Sequence, residues 1–191
     1  MDGTTNYEDM QITKVVAQYM NDEEWTDGIE VSDDRSASTV ATQLGIEDQG
    51  YRLFLEANEV GEVFTAYMYS PFKVPANRID ATAKILNRIN RTRLRLGRLA
   101  VLDNGEASPI QFACSIDVEG GALAPGQIGT IIGVCFSLGR FHQLLSAVAL
   151  TKMSEDKLWE EFVEEEERLA KEQQEDEDSG ETSGDDGPNK L

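Results

Sequence analysis

Between Pro71 and Gly121 the chain spells out an order of elements that few folds accommodate. Pro71 and Pro75 mark a strand exit, because proline fixes φ and removes a backbone donor. Residues 76–90 then carry Ile79, Ala83, Leu86 and Ile89 at helical spacing, with Ile85 broadening the stripe. Asn87 and Asn90 suit a helix stop better than a helix interior. Strands over Leu94–Leu102 and Pro109–Val118 flank Asp103-Asn104-Gly105, a tight-turn signal because Asn and Gly tolerate positive φ. In the second strand Ile110, Phe112, Cys114 and Ile116 alternate with Gln111, Ala113, Ser115 and Asp117, so one face is apolar. A helix followed by such a hairpin predicts an α+β domain.

The flanks extend this reading. Ile12, Val15, Val16 and Tyr19 predict a helix over Tyr7–Met20. An acidic linker follows, with Trp25, Ile29 and Val31 as its core candidates. Strands over Ser38–Ile46, Tyr51–Ala57 and Val63–Tyr69, joined by the short connectors Glu47-Asp48-Gln49-Gly50 and Asn58-Glu59-Val60-Gly61, predict an antiparallel meander. Downstream, Gly120-Gly121 breaks the sheet, and a helix over Pro125–Leu150 has a wide apolar stripe that places it at the centre of the core. Gly129 and Gly133 would let this helix approach the sheet, or a second copy, closely. The expected sheet has about five strands in the order α-β-β-β-α-β-β-α, within a domain of residues 1–153. A C-terminal helix over 154–172, capped by Ser154, would dock through Leu158, Trp159, Phe162 and Val163. Residues 173–191 are acidic and nearly without apolar side chains, and are expected to be a disordered tail.

Charge narrows the function classes. Residues 151–191 hold 16 acidic and 5 basic side chains, against 20 and 12 in residues 1–150, so the last fifth carries more than half of the net charge of -19. Such a chain repels phosphate and anionic headgroups, which disfavours nucleic acid and membrane surfaces as partners. No basic, apolar leader opens the sequence. The uncharged run from Gly120 to Gly139 shrinks to about Ile128–Leu138 in its apolar part, which reads as a buried helix and not a membrane span. The expectation is a cytoplasmic protein.

The chemistry-bearing residues are sparse. Cys114 and Cys135 lie in apolar segments without metal-ligand spacing, and are expected to be reduced core thiols. His142, the single histidine, lies seven residues after Cys135, about 10 Å along a helix, too far for a direct nucleophile–base pair. No phosphate-binding glycine pattern and no calcium loop is present. No metal, cofactor or catalytic residue is expected. One cluster stands out against the acidic background: Lys84, Arg88, Arg91, Arg93, Arg95 and Arg98. Lys84, Arg88 and Arg91 share a helix face, and the other three follow at the helix-to-strand junction. Guanidinium groups suit bidentate pairing with an anion or an acidic partner. The flexible acidic tail could itself sit on this cluster as a tethered competitor.

Several of these segments resemble the YbjN-domain family. Val74-Pro75 is similar to the family's entry into its central helix, and Ile85-Leu86-Asn87-Arg88-Ile89-Asn90 resembles that helix's end. Leu96-Gly97-Arg98-Leu99 with Asp103-Asn104-Gly105 resembles its glycine-preceded strand and turn, and Ile116-Asp117-Val118-Glu119-Gly120-Gly121 its strand end. The order of elements matches over about residues 7–150. The resemblance implies a fold like that of type III secretion chaperones and a bacterial role in regulating sensory transduction. It implies partner binding, with homodimerisation compatible, and brings no enzymatic activity. The function expected is a protein-binding module acting through an open sheet face or edge; the alternative is a sensor of an anionic ligand or acidic partner at the arginine cluster.

Overall fold

The computed structural model describes residues 7–102 and 104–180, with side chains as far as 175. The elements, in chain order, are α1 (Gln11–Asp22), β1 (Ile29–Val31), β2 (Ala37–Ile46), β3 (Gln49–Asn58), β4 (Val63–Pro75), α2 (Ile79–Thr92), β5 (Arg98–Val101), β6 (Ala107–Asp117), α3 (Pro125–Cys135), α4 (Ser137–Arg140), α5 (His142–Leu150) and α6 (Glu155–Gly180). The strands form one antiparallel sheet of six in the order β1-β2-β3-β4-β6-β5. The α+β class and the meander stand, but the sheet has six strands where five were expected. The extra one, β1, is only three residues long, too short for alternation to reveal it.

Alternation sets which face is covered. Tyr51, Leu53, Leu55 and Ala57 of β3 point inward with Phe64, Ala66 and Met68 of β4 and Ile110, Phe112 and Cys114 of β6, all buried. Against them pack Ile12 and Val16 of α1, Ile85, Leu86 and Ile89 of α2, Ile128, Ile131 and Ile132 of α3, and Leu145 and Val148 of α5. β2 and β3 are joined by a two-residue turn, Glu47-Asp48, with φ of 47° and 61° at the two positions; such a turn matches the twist of the flanking strands.

Three segments depart from expectation. Strand β4 does not leave the sheet at Ser70. It bulges between Tyr69 and Lys73 and pairs again with β6 as far as Pro75. Pro71 has no N–H to offer the ladder, and Ser70 Oγ fills in by accepting from the Ile110 amide at 3.0 Å. The run Pro125–Leu150 is not one helix, because α3–α4 and α5 meet at a bend of 47°. An all-round apolar helix has no single stripe to fix one axis, and bending lets both halves follow the twisted sheet. Gly139 sits at this bend, where a Cβ would come within 2.7 Å of Ile46. Gly129 faces Tyr19 of α1 and not the sheet, while Gly133 meets nothing. No single helix among the described residues is long and apolar enough to cross a membrane, and the Pro125–Leu150 stretch buries most of its apolar side chains in the core, Phe136 and Leu150 being exposed. Finally, α6 runs to Gly180, beyond the expected end at residue 172. Arg168 holds it together, bonding Glu165 at 2.5 Å and Glu172 at 2.5 Å, one turn away on either side. The expected tail is therefore helical over residues 173–180, and its remainder, 181–191, lies outside the described residues, as does Asp103 of the tight turn.

Gly97 and Glu59 fix the two ends of this architecture. Gly97 has φ of 72°, and a Cβ there would sit 2.2 Å from the Phe112 ring, so β5 can enter the sheet only through glycine. Glu59, in the β3–β4 turn, reaches the start of α1. Its carboxylate accepts from the amides of Ile12 (3.1 Å) and Thr13 (2.8 Å) and from the Thr13 hydroxyl (2.7 Å). Met10, at the N-cap, has no side chain able to do this, so Glu59, 46 positions beyond Thr13, supplies the cap.

Candidate functional site

The arginine cluster is where the C-terminal helix lands. Lys84 Nζ lies 2.8 Å from Glu155, Arg88 pairs with Asp156, and Arg93 Nε lies 2.8 Å from Glu166. Arg140 pairs with the same Glu166, so one carboxylate bridges two guanidiniums. The Lys84 ammonium beside Glu155 holds that carboxyl below its usual range, and Lys84 is raised in return. Between the cations lies Trp159, its ring 6.0 Å from the Arg88 guanidinium and 5.7 Å from that of Arg93. Phe162 packs on Phe141 of the α4–α5 junction with ring centroids 5.8 Å apart, and Leu158 is buried. The competitor expected from residues 173–191 thus has a counterpart nearer the body: residues 155–166 of α6 occupy half of the cluster.

The six cations split accordingly. Lys84, Arg88 and Arg93 are engaged by α6, whereas Arg91, Arg95 and Arg98 are exposed and make no ion pair among the described residues. Sequence reasoning missed two arginines of this surface. Arg140 belongs to the triad with Glu166. Arg78 donates to the Val148 carbonyl (2.8 Å) and the Met153 carbonyl (3.1 Å), pinning the end of α5 and the start of the link to α6. Neither could be found by spacing, since both act across tertiary contacts.

The second candidate surface is the sheet face away from the core. Strand register aligns Ala41, Phe54, Tyr67 and Ala113 in one row, and Gln43, Arg52, Tyr69 and Gln111 in the next. Phe54 meets Tyr69 edge-on at 5.5 Å, Arg52 lies 6.0 Å above Tyr69, and Gln111 Nε2 donates to Tyr69 Oη at 2.7 Å. Glu56, Thr39 and Tyr67 complete a shallow depression of about 410 Å³. Half-exposed aromatic rings tied by polar contacts are the side-chain chemistry enriched at protein interfaces.

The edge at β5 is closed to a further strand at its middle residue. Asn90 Oδ1 accepts from the Leu99 amide at 2.8 Å, and Asn90 Nδ2 donates to the Leu99 carbonyl at 2.9 Å. The side-chain amide takes the pair of groups that an added strand would use. That gives the Asn at the end of α2 a physical role beyond helix termination.

The thiols and the imidazole stay apart. Cys114 and Cys135 are buried and unbridged. Burial pushes the Cys135 thiol up to about 12, with the neighbouring Cys114 adding to it, which makes it a poor nucleophile. His142 instead sits beside Tyr51, Oη to Nδ1 2.6 Å, with the Phe72 ring 5.5 Å away. Burial lowers the His142 pKa, against a weaker opposing pull from Glu47, and pushes Tyr51 up to about 12.

Comparison with known proteins places this geometry. A structural likeness exists to a chain described as "Crystal structure of YbjN, a putative transcription regulator from E. coli", at 11% identity and a TM-score of 0.43, covering 68% of this chain and 92% of that one. Among curated proteins, none matches the sequence. Residues 13–140 match the family model described as "YbjN: Putative bacterial sensory transduction regulator", and this span holds the sheet, α1, α2 and α3. The chain, matched over well more than half its length, belongs to the YbjN family.

Proposed function

We propose that this chain is a non-enzymatic, cytoplasmic regulator that works by binding another protein through its open sheet face. The observation that carries the reading is the aromatic patch of Phe54, Tyr67 and Tyr69 on two neighbouring rows, which α-helices leave uncovered on one side of an otherwise well-packed sheet. A chaperone-like adaptor would use such a face in the same way, and a homodimer could form across it. The test is affinity capture from a bacterial lysate, with the partner identified and its stoichiometry measured, comparing the unaltered chain with a Tyr67→Asp, Tyr69→Ser chain. Retention of the partner by that double variant would remove the sheet face from consideration.

A second reading follows from a separate observation: Arg91, Arg95 and Arg98 are exposed and make no ion pair among the described residues. They suit an anionic ligand or an acidic protein segment. Polyglutamate is the probe. Binding that is steeply salt-dependent and lost on Arg91→Glu, Arg95→Glu, Arg98→Glu supports this reading; salt-independent binding rejects it.

A further inference from the structure

The segment that covers Lys84, Arg88 and Arg93 lies outside the family match, which ends at residue 140, whereas α6 begins at Glu155. It is joined to the body by four exposed residues, Thr151–Ser154. Its grip comes from one helix face with a contact at almost every turn: carboxylates at 155 and 156, Leu158 and Trp159, Phe162, and the carboxylate of Glu166. Of these, only Leu158 is a fully buried apolar side chain. The Lys84–Glu155 and Arg88–Asp156 pairs each keep at least one side chain well exposed, and Arg93–Glu166 is only partly buried; pairs open to water contribute little and are weakened by salt. Past Glu166 the helix runs beside a cleft of about 590 Å³ bordered by Arg140, Gln143, Leu144, Leu169 and Gln173. The docking is chemically specific but lightly held.

We infer that the surface formed by α2, the α4–α5 junction and Arg93 is a receptor for an acidic amphipathic helix of a partner protein, and that α6 occupies it in cis as a tethered mimic. The required partner helix is defined by what the surface already accepts. A carboxylate pair meets Lys84 and Arg88; an apolar and an aromatic residue follow at the next turn, with the aromatic ring between two guanidiniums. A second aromatic ring then meets Phe141, and a carboxylate eleven residues after the first meets Arg93 and Arg140. A short tether gives α6 an effective concentration on the order of millimolar, so a partner sees the site only through the fraction of molecules in which α6 is released. The inference takes the sign of the partner's charge from the second reading above; the hydrophobic part of the match is new.

The experiment uses the full chain and a fluorescein-labelled peptide of residues 154–175 as the probe. Two chains weaken the resident helix without touching the receptor: Glu155→Lys with Asp156→Lys and Glu166→Lys, and, separately, Phe162→Ala. Each should bind the peptide at least tenfold more tightly than the unaltered chain, and adding Arg93→Glu should abolish the gain. Polyglutamate of equal length should show no such gain. The inference is overturned if both opened chains, their folding checked by circular dichroism, bind the peptide no better than the unaltered chain. It is equally overturned if polyglutamate gains as much, since the site would then be a bare cation cluster. Polyglutamate binding that is insensitive to opening α6, with no peptide gain, would leave the second reading standing alone; failure of both probes would remove both.

Discussion

Helices α5 and α6 follow each other in the chain and touch in space, yet opposite physics holds them. α5 buries Leu144, Leu145, Val148 and Ala149 against the sheet, with exposures of 6% or less, and carries no charge pair. α6 buries one leucine and otherwise relies on ion pairs and on an indole between two arginines. Burial of apolar area is indifferent to salt and gives no partial release, whereas exposed pairs are screened and can be exchanged for others. Fixed structure and replaceable structure therefore sit side by side on one scaffold.

Substitutions sharpen this contrast, beginning with the largest effect. Leu145→Ala should cost about 3 kcal/mol in urea unfolding, as expected for a cavity in a packed core; a loss below about 1 kcal/mol would mean that α5 is held no more firmly than α6. Gly97→Ala should cost roughly 2 kcal/mol, from a strained φ and from contact with Phe112, and the same unfolding curve reads it. Glu59→Ala lies between the two regimes, because its charge acts on main-chain amides at a half-buried helix start; about 1 kcal/mol should be lost, with hydrogen exchange rising first in α1.

His142 offers a titration. Its pKa in the folded chain lies below the ordinary 6.5, so as pH falls through 6.5 the unfolded chain takes up a proton that the folded chain resists. Its contribution is complete above pH 6.5 and is lost as pH falls towards the folded value. His142→Gln should flatten the stability profile as pH falls below about 6.5. Carboxylates held low by their partners, Asp9 by Arg35 and Glu155 by Lys84, act only at lower pH. The smallest effect belongs to α6. Glu166→Gln should change global stability by no more than about 1 kcal/mol, and the difference from the unaltered chain should vanish in roughly 1 M salt.

What could be read from the sequence follows the same divide. Positions governed by periodicity were legible: the meander, the stripe of α2, and the alternation of Ile110 to Ile116. So was the clustering of basic residues, because helix spacing and chain adjacency place them together. Features that depend on contact between distant segments were not. Glu59 looks like a loop residue until α1 is laid beside it, Arg140 looks solvated until α6 crosses it, and Asn90 looks like a helix stop until β5 runs past. The length of α6 is illegible for another reason: composition suggests an unfolded tail, and the pairs of Arg168 with Glu165 and Glu172 lie inside the expected helix and do not signal its continuation past residue 172. The open aromatic face is what alternation leaves outside: Phe54 lies between the buried Leu53 and Leu55, and Tyr67 between Ala66 and Met68.

Asn90 carries one more consequence. Sheets that end in bare backbone can stack end to end into fibrils, which makes every such end a hazard. Here one flank is corked at Leu99 by a single carboxamide, whereas on the opposite flank the three residues of Ile29–Val31 cover only Ser38–Val40 of β2 and leave Ala41–Ile46 without a strand partner on that side. The two rims are therefore unequal: a strand added to this sheet meets a blocked position at β5 and a free stretch of backbone along the second half of β2.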